Sequence, residues 1–464
     1  MHTLVRSSLL LWLTGGALAA PLPSTTPAFF AGHRDALLSR LPAGAIAVLH
    51  SAAEFPVEVD HLYRQDSDLW YVTGVAEPEV IAVLRPNAAD GKRFVLFVRP
   101  HEFKQEQWTG WRAGLDGAKS QYAADEAFPI AEFGERFRKL AAGSTALYYR
   151  DGGDAKFREQ LLGLWAVEDT NATQPRPVAD AGAIVHQMRL VKDPTEQALM
   201  RHASALSAEA HRKAMAQVRP GHFEYDLDAA MIATCRAGGA ARMAYPPIVG
   251  SGRNSVILHY EANSKRLEAG DMIVNDTACE YEMYSSDVTR SYPVSGRFSA
   301  DQRAIYEIVL AAQKAAMAAV RPGIAFRDVH AASVEVVVDG LIRLGILSGD
   351  RAEIIEKRTF QQYYPHGCSH WMGLNVHDVG SYGYPEGLDR LERYGKAMTK
   401  LEPGMAFSVE PGIYIPENAA ADKRWWNIGV RIEDTVLVTS SGVECLSCAA
   451  PREIADVEKA IGGR

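Results

Sequence analysis

Asp276, Asp287, His370, Glu410 and Glu433 stand in that order in a chain of 464 residues, each inside a short stretch that reads as strand or strand edge. Four carboxylates and one imidazole carry the charge to neutralise two divalent cations. Oxygen-rich ligation with a single histidine suits borderline-hard metals such as manganese, cobalt or zinc, and a carboxylate-bridged pair of ions makes hydroxide near neutral pH. The expected chemistry is hydrolysis. With 57 Asp+Glu against 49 Lys+Arg and a formal charge of -8, most carboxylates must be solvated surface groups. Residue type alone therefore does not single these five out, and their context has to.

That context is an internal repeat. Leu267 to Asp276 reads LEAGDMIVND and Leu401 to Glu410 reads LEPGMAFSVE, so the same Leu-Glu-x-Gly turn leads into an apolar run that stops at a carboxylate. Upstream, Ala214 to Gly221 reads AMAQVRPG and Ala316 to Gly323 reads AMAAVRPG, each closing a helical pattern. Both patterns open on a cap: Asp193-Pro194-Thr195-Glu196 supplies an N-cap, a proline at the first helical position and a glutamate at the third, and Ser299-Ala300-Asp301-Gln302 is a second capping box. Leu199, Ala203, Leu206 and Ala210, then Ile305, Ile308, Val309 and Ala312, mark the buried faces. The unit that repeats is helix, turn, helix and strand, with Asp276 and Asp287 in one copy and Glu410 and Glu433 in the other. A pseudo-two-fold axis would bring the pairs face to face. Locally, Met272 to Asn275 reads as a buried strand, Glu280 to Tyr284 as a turn or hairpin tip and Ser286 to Thr289 as the return strand, which would let Asp276 and Asp287 share one face of a ribbon. Phe407 to Glu410 and Val430 to Thr435 read the same way.

Longer motifs carry a resemblance. NDTACEYEMYSSDVTR from Asn275, HGCSHWMGLNVHDVG from His366, VEPGIY from Val409 and GVRIEDT from Gly429 resemble the metallopeptidases of the pita-bread fold, and within them the Xaa-Pro aminopeptidase (aminopeptidase P) family. The likeness continues upstream through IVGSGRNSVILHY at Ile248 and YRQDSDLWYVTGVAEPE at Tyr63, and spans nearly everything after about residue 25. It implies a dinuclear centre, most readily of manganese with cobalt or zinc as substitutes, in which Asp276 chelates one ion, Asp287 and Glu433 bridge both, and His370 and Glu410 complete the second site. A bridging hydroxide would be the nucleophile and Glu410 the proton shuttle. His259 and His377 would contact the scissile carbonyl, while His366, Tyr414 and Arg431 would shape the proline side or support the ligands from behind. The substrates implied are peptides with proline second. Departures are few: Thr277-Ala278 stands where Ala-Gly is more usual, and Cys368 and Asn375 replace common apolar and acidic residues. None is a ligand position.

Length leaves room for about two domains. The composition shift near Ala181 to Lys192 divides an α/β domain, residues 25–182, from an α+β pita-bread catalytic domain, residues 183–464. Ala45 to Ser51, Val80 to Arg85, Phe94 to Val98 and Ala146 to Arg150 read as strands of the first, which in the family covers the active-site mouth and helps assemble a dimer or tetramer. Trp108 and Trp111 lie in EQWTGWRAG. An indole stacks well on a proline ring, and in relatives a neighbouring subunit lends such a residue; Trp108 is the candidate, and Trp111 reads as a core or interface residue.

Residues 1–19 resemble a cleaved secretory signal: a cation at Arg6, an apolar run from Ser8 to Ala17, and small residues at Ala17 and Ala19. A periplasmic or secreted enzyme is expected. The run is too short and glycine-interrupted to span a membrane, and no other approaches ~20 residues. Cys235, Cys279 and Cys368 sit singly, whereas Cys445 and Cys448 form a CxxC that reads either as a local disulfide or as packed thiols. No phosphate loop or basic aromatic stripe points to nucleic acid. Two rival functions remain: an Xaa-Pro dipeptidase on the same ligands, from which Ser369-His370-Trp371 leans away, and a pita-bread binding protein without catalysis, disfavoured because all five ligand positions are filled.

Overall fold

Aliphatic runs bounded by turns become the strands of the amino-terminal half. The computed structural model describes residues 22–53, 62–166, 176–384 and 397–462, so the expected signal at residues 1–19 lies outside the described residues. Ala45–His50 (β1), Ile81–Leu84 (β2), Phe94–Val98 (β3), Glu126–Pro129 (β4), Ala146–Tyr149 (β5) and Val178–Asp180 (β6) form one six-stranded sheet in the order β4-β3-β2-β1-β5-β6. The two strands that the sequence does not announce, β4 and β6, are its edges. An edge strand buries less of itself, so EAFP and VAD need no aliphatic run. In β1 the side chains alternate between two cores: Ile46 and Val48 meet Phe133, Phe137 and Trp165, while Ala47 and Leu49 share a cluster with Leu199, Met200, Tyr284 and Met372 of the second half. One face of the sheet is thus packed toward the catalytic half.

That half is built twice. The helix Pro194–Met215 starts from a capping box in which the Asp193 carboxylate accepts from the backbone of Thr195 and Glu196, and the Glu196 carboxylate accepts from Asp193 N. Ser299 and Gln302 do the same for Ala300–Ala319. Each long helix packs on the next one, Glu224–Ala237 or Phe326–Arg343. Between them the two VRPG turns end on Gly221 and Gly323, with φ of +92° and +89°, a region open to glycine at no steric cost. Gly221 N donates to Leu267 O at 2.9 Å and Gly323 N to Leu401 O at 2.8 Å. The bridges Phe223 to Arg266 and Ala325 to Lys400 also correspond. The repeated words of the sequence therefore make the same contacts in both copies.

The remaining strands are Arg242–Met243 (β7), Ile248–Ser251 (β8), Met272–Asp276 (β9), Cys279–Tyr281 (β10), Tyr284–Ser285 (β11), Thr289–Pro293 (β12), Ala406–Val409 (β13), Gly412–Ile415 (β14), Ile428–Arg431 (β15), Asp434–Val438 (β16) and Val443–Cys445 (β17). β9 is central between β8 and β12, and β13 pairs with β16 while β14 pairs with β15. Two expectations need correcting. The return strand begins at Thr289, because residues 286–288 lead out of a separate short hairpin, β10–β11, turned at Glu282 and Met283 with positive φ. Val430 to Thr435 is not one strand: β15 ends at Arg431, β16 starts at Asp434, and they belong to different sheets. Glu433 sits at that break, where its N–H donates to Thr289 O across to β12.

Cysteines correct a third. Cys235 on the helix Glu224–Ala237 and Cys279 on β10 are disulfide-bonded, with Cα atoms 5.5 Å apart, and Cys445 and Cys448 form the second bond. Cys368 is a buried free thiol. Among the described residues no helix is long and apolar enough to cross a membrane.

Candidate metal centre

Strand ends aim the acidic residues inward. Asp276 closes β9 opposite Thr289 of β12, Asp287 precedes β12 by two residues, Glu410 follows β13 and Glu433 occupies the break between β15 and β16. All four line one cavity of about 540 Å³ together with His370. Hydroxyls hold the backbone around them. Thr435 Oγ1 accepts from Asp287 N and donates to Asp287 O, both at 2.9 Å, and Ser408 Oγ accepts from His370 N at 3.0 Å. The Nδ1 of His370 lies 3.2 Å from Trp371 O, so a proton there turns the Nε2 lone pair to the carboxylates, 3.3 Å from Asp287 and 3.4 Å from Glu410.

The electrostatics call for a cation. Burial, joined by the charges of neighbouring carboxylates, pushes Glu410 up to about 7 and Glu433 well above the usual range, and raises Asp287. For His370, burial acts downward but is outweighed by the Asp287 hydrogen bond and the Glu410 charge, which lift it to about 9. The Tyr245 hydroxyl, with a single proton, lies 2.6 Å from both Asp276 Oδ1 and Asp287 Oδ1. Glu433 Oε2 accepts from Thr289 Oγ1 at 2.6 Å, whereas its buried Oε1 has no protein partner. Ligand atoms of Asp287, His370 and Glu433 lie within 4.8 Å of one another. Oxygen-rich, crowded and short of protons, the five side chains fit a pair of divalent ions.

A relay supports the centre from behind. Arg431 donates to Asp276 Oδ2 at 2.6 Å and to the Tyr414 hydroxyl at 2.8 Å, and that hydroxyl lies 2.8 Å from His366 Nε2. Since Tyr414 accepts from Arg431, its own proton is free for Nε2, while Nδ1 of His366 lies 2.9 Å from Gly367 O. Burial and the Arg431 charge drive His366 down to about 3, which matches a neutral ring accepting at Nε2. His259 and His377 line the same cavity from its exposed side, and the His377 ring lies 4.2 Å from that of His370. Trp108 stands apart: it is 88% exposed and does not line the cavity of its own chain. Tyr245, Thr435 and Ser408 escape sequence reasoning, because a lone hydroxyl carries no pattern that distinguishes a supporter from a surface residue.

The profile of metallopeptidase family M24 matches residues 198–440, a span that holds all five acidic and histidine positions. The chain belongs to metallopeptidase family M24. Ahead of that span, the amino-terminal domain of aminopeptidase P matches residues 30–148. Among M24 relatives, the Xaa-Pro aminopeptidase of Escherichia coli K12 is 37% identical over 435 residues, covering 92% of this chain and 96% of the relative. The structure of Pseudomonas aeruginosa aminopeptidase PepP superposes with a TM-score of 0.89 at 40% identity, over 95% of this chain and 99% of that one. E. coli aminopeptidase P with the inhibitor Pro-Leu gives 0.89 at 36% identity, with the same coverage. The pita-bread architecture after an aminopeptidase P amino-terminal domain is thereby this chain's fold.

Proposed function

We propose that this M24 enzyme is an Xaa-Pro aminopeptidase, hydrolysing the bond between an N-terminal residue and a following proline. The observation that carries the reading is the single cavity in which Asp276, Asp287, His370, Glu410 and Glu433 meet His259, His366 and His377, in a chain similar along almost its whole length to Xaa-Pro aminopeptidases. When bound, two divalent ions, manganese by preference, would supply a polarised carbonyl and an acidified water. The protein's own groups do the rest. Glu410 takes the proton of the attacking water and passes it to the proline nitrogen as the amide bond breaks. His377 and His259, on the exposed side of the cavity, donate from ring N–H groups to the developing oxyanion.

Proline selectivity follows from the amide itself. An Xaa-Pro bond has no N–H and its ring fixes φ near −65°, so a pocket walled by Pro365 and His366, with Tyr414 behind His366, reads shape where other aminopeptidases need a donor. An Xaa-Pro-Xaa tripeptide should be cleaved after its first residue with kcat/KM roughly 10- to 200-fold above Xaa-Ala-Xaa. Equal values would sink the proline assignment and leave the metallopeptidase standing. Cleavage of an Xaa-Pro dipeptide but not of the tripeptide would instead support the dipeptidase alternative.

Three further features belong to the proposal. Manganese-loaded protein should carry two ions per chain by metal analysis; fewer than one, with no hydrolysis, would revive a non-catalytic role. Export is supported by the pairing of four of the five cysteines, a state favoured in oxidising compartments. Sequencing of the mature N-terminus checks it, and a start at Met1 refutes it. Assembly into dimers or tetramers is supported by Trp108 and Trp111 of the amino-terminal domain, 88% and 82% exposed, and sedimentation velocity tests it.

A further inference from the structure

A second, smaller cavity of about 160 Å³ also adjoins the acidic pair. It shares Asp276, Asp287, His259 and His377 with the main cavity, but its remaining wall is different: Tyr245, Pro246, Ile248 and Val376, with the carboxylate of Glu261 among them. On the functional reading above, His259 and His377 flank the scissile carbonyl and the proline ring lies toward Pro365 and His366. The residue on the other side of that carbonyl, the first of the peptide, then faces this compartment.

Its chemistry is that of an apolar trough with one charge at the rim. Ile248 is buried, and Pro246, Ile248 and Val376 carry hydrocarbon side chains, so this wall accepts a hydrocarbon stem. Glu261 is exposed and, among the described residues, makes no hydrogen bond or ion pair. Nothing in the fold requires a carboxylate there, since the loop's backbone is anchored instead by Asn263, whose side chain accepts from Val249 N and donates to Pro247 O and Asp228. A long side chain that is apolar along its length and cationic at its end satisfies both parts of the compartment, with the stem on the wall and the head in water beside Glu261.

We propose that Glu261 is a specificity-determining residue that favours lysine or arginine as the first residue of the substrate. The inference rests on the Xaa-Pro aminopeptidase reading, and the test separates the two. Lys-Pro-Ala, norleucine-Pro-Ala and Glu-Pro-Ala share the scissile bond and the free α-amine and differ in the charge their first side chain ends on. Hydrolysis of norleucine-Pro-Ala measures the reading; the ratio of the charged peptides to it measures Glu261. For the manganese-loaded wild type, kcat/KM for the lysine peptide should exceed that for norleucine by about two- to five-fold at low ionic strength, mainly through KM, as expected for an exposed ion pair. The excess should shrink as salt screens it. Glu261→Gln should bring the ratio to about one, and Glu261→Lys should reverse the order so that Glu-Pro-Ala overtakes Lys-Pro-Ala. A wild-type ratio of one, a preference that survives Glu261→Gln, or an order that Glu261→Lys leaves in place overturns the proposal while the aminopeptidase reading stands. Failure to cleave any of the three overturns both.

Discussion

Single side chains at the centre are worth most where two jobs meet in one carboxylate. Glu433 presents one oxygen to Thr289 and leaves the other buried without a protein partner, and Asp287 is shared between Tyr245 and His370. Removing charge from either loses part of both proposed metal sites at once. Asp287→Asn and Glu433→Gln should therefore lower bound metal and turnover together, by at least the ten- to hundred-fold that loss of even an outer partner of a ligand costs. Metal content and kcat/KM measured on the same preparations check this; full occupancy and activity in either variant would refute the ligand assignment. Chelation of the wild type should abolish hydrolysis, and divalent ions should restore it.

Among the elements, the hairpin that carries Asp276 into Asp287 is tied at its tip, its flank and its base. Its tip is held by Thr25, which donates from N and Oγ1 to the Glu282 carboxylate, and its flank by Arg64 to Glu280 at 2.8 Å. The Cys235–Cys279 bond fixes the strand to the helix Glu224–Ala237 three residues after Asp276. Closing a loop with a sequence separation of 44 restricts the unfolded chain. Cys235→Ala should thus cost about 2–4 kcal/mol of stability, read from denaturant midpoints under oxidising conditions. Equal midpoints for variant and wild type would mean that the bond adds nothing. Sequence spacing could not have announced this pair: the cysteines lie on different elements, and only the packing of the helix on β10 brings their Cα atoms to 5.5 Å.

Across the whole molecule, the amino-terminal sheet and the catalytic half meet over buried charge. His33, on the amino-terminal helix Pro27–Arg40, lies 3.3 Å from Asp193 and 4.0 Å from Glu196, the capping-box pair that starts the catalytic half, and Tyr284 donates to Glu196 at 2.9 Å. Burial pushes the Glu196 carboxyl from the usual 4.5 up to about 7. A raised acid is protonated in the folded state and ionised in the unfolded one between those values. Its contribution to stability is complete below about 4.5 and is lost as pH rises through about 7, a change of about 3 kcal/mol at most. Glu196→Gln removes the titration and can keep the bond from Asp193 N to its one amide oxygen, with its NH2 turned to the oxygen of the Tyr284 hydroxyl, so its thermal midpoint should fall less than the wild type's between pH 5 and pH 8. Parallel pH profiles would show that Glu196 is not the group responsible.

What the sequence by itself determined is what is written in contiguous words. The duplicated LE-x-G and VRPG segments announce two copies of one unit, and Gly221 and Gly323 indeed make the same backbone bond because identical local words fold identically. The carboxylates at the ends of apolar runs and the histidine motifs are legible for the same reason, as are the helix caps at Asp193 and Ser299. Tertiary structure decided everything that depends on two distant segments meeting. It split Val430 to Thr435 between two sheets, paired Cys235 with Cys279, brought Tyr245 onto two aspartates, and turned Glu261 toward a cavity that opens from the metal side. Edge strands β4 and β6 belong with these, since pairing to an existing sheet lets a weakly apolar segment become a strand. Through-space neighbours set burial and charge, and no spacing along the chain encodes them.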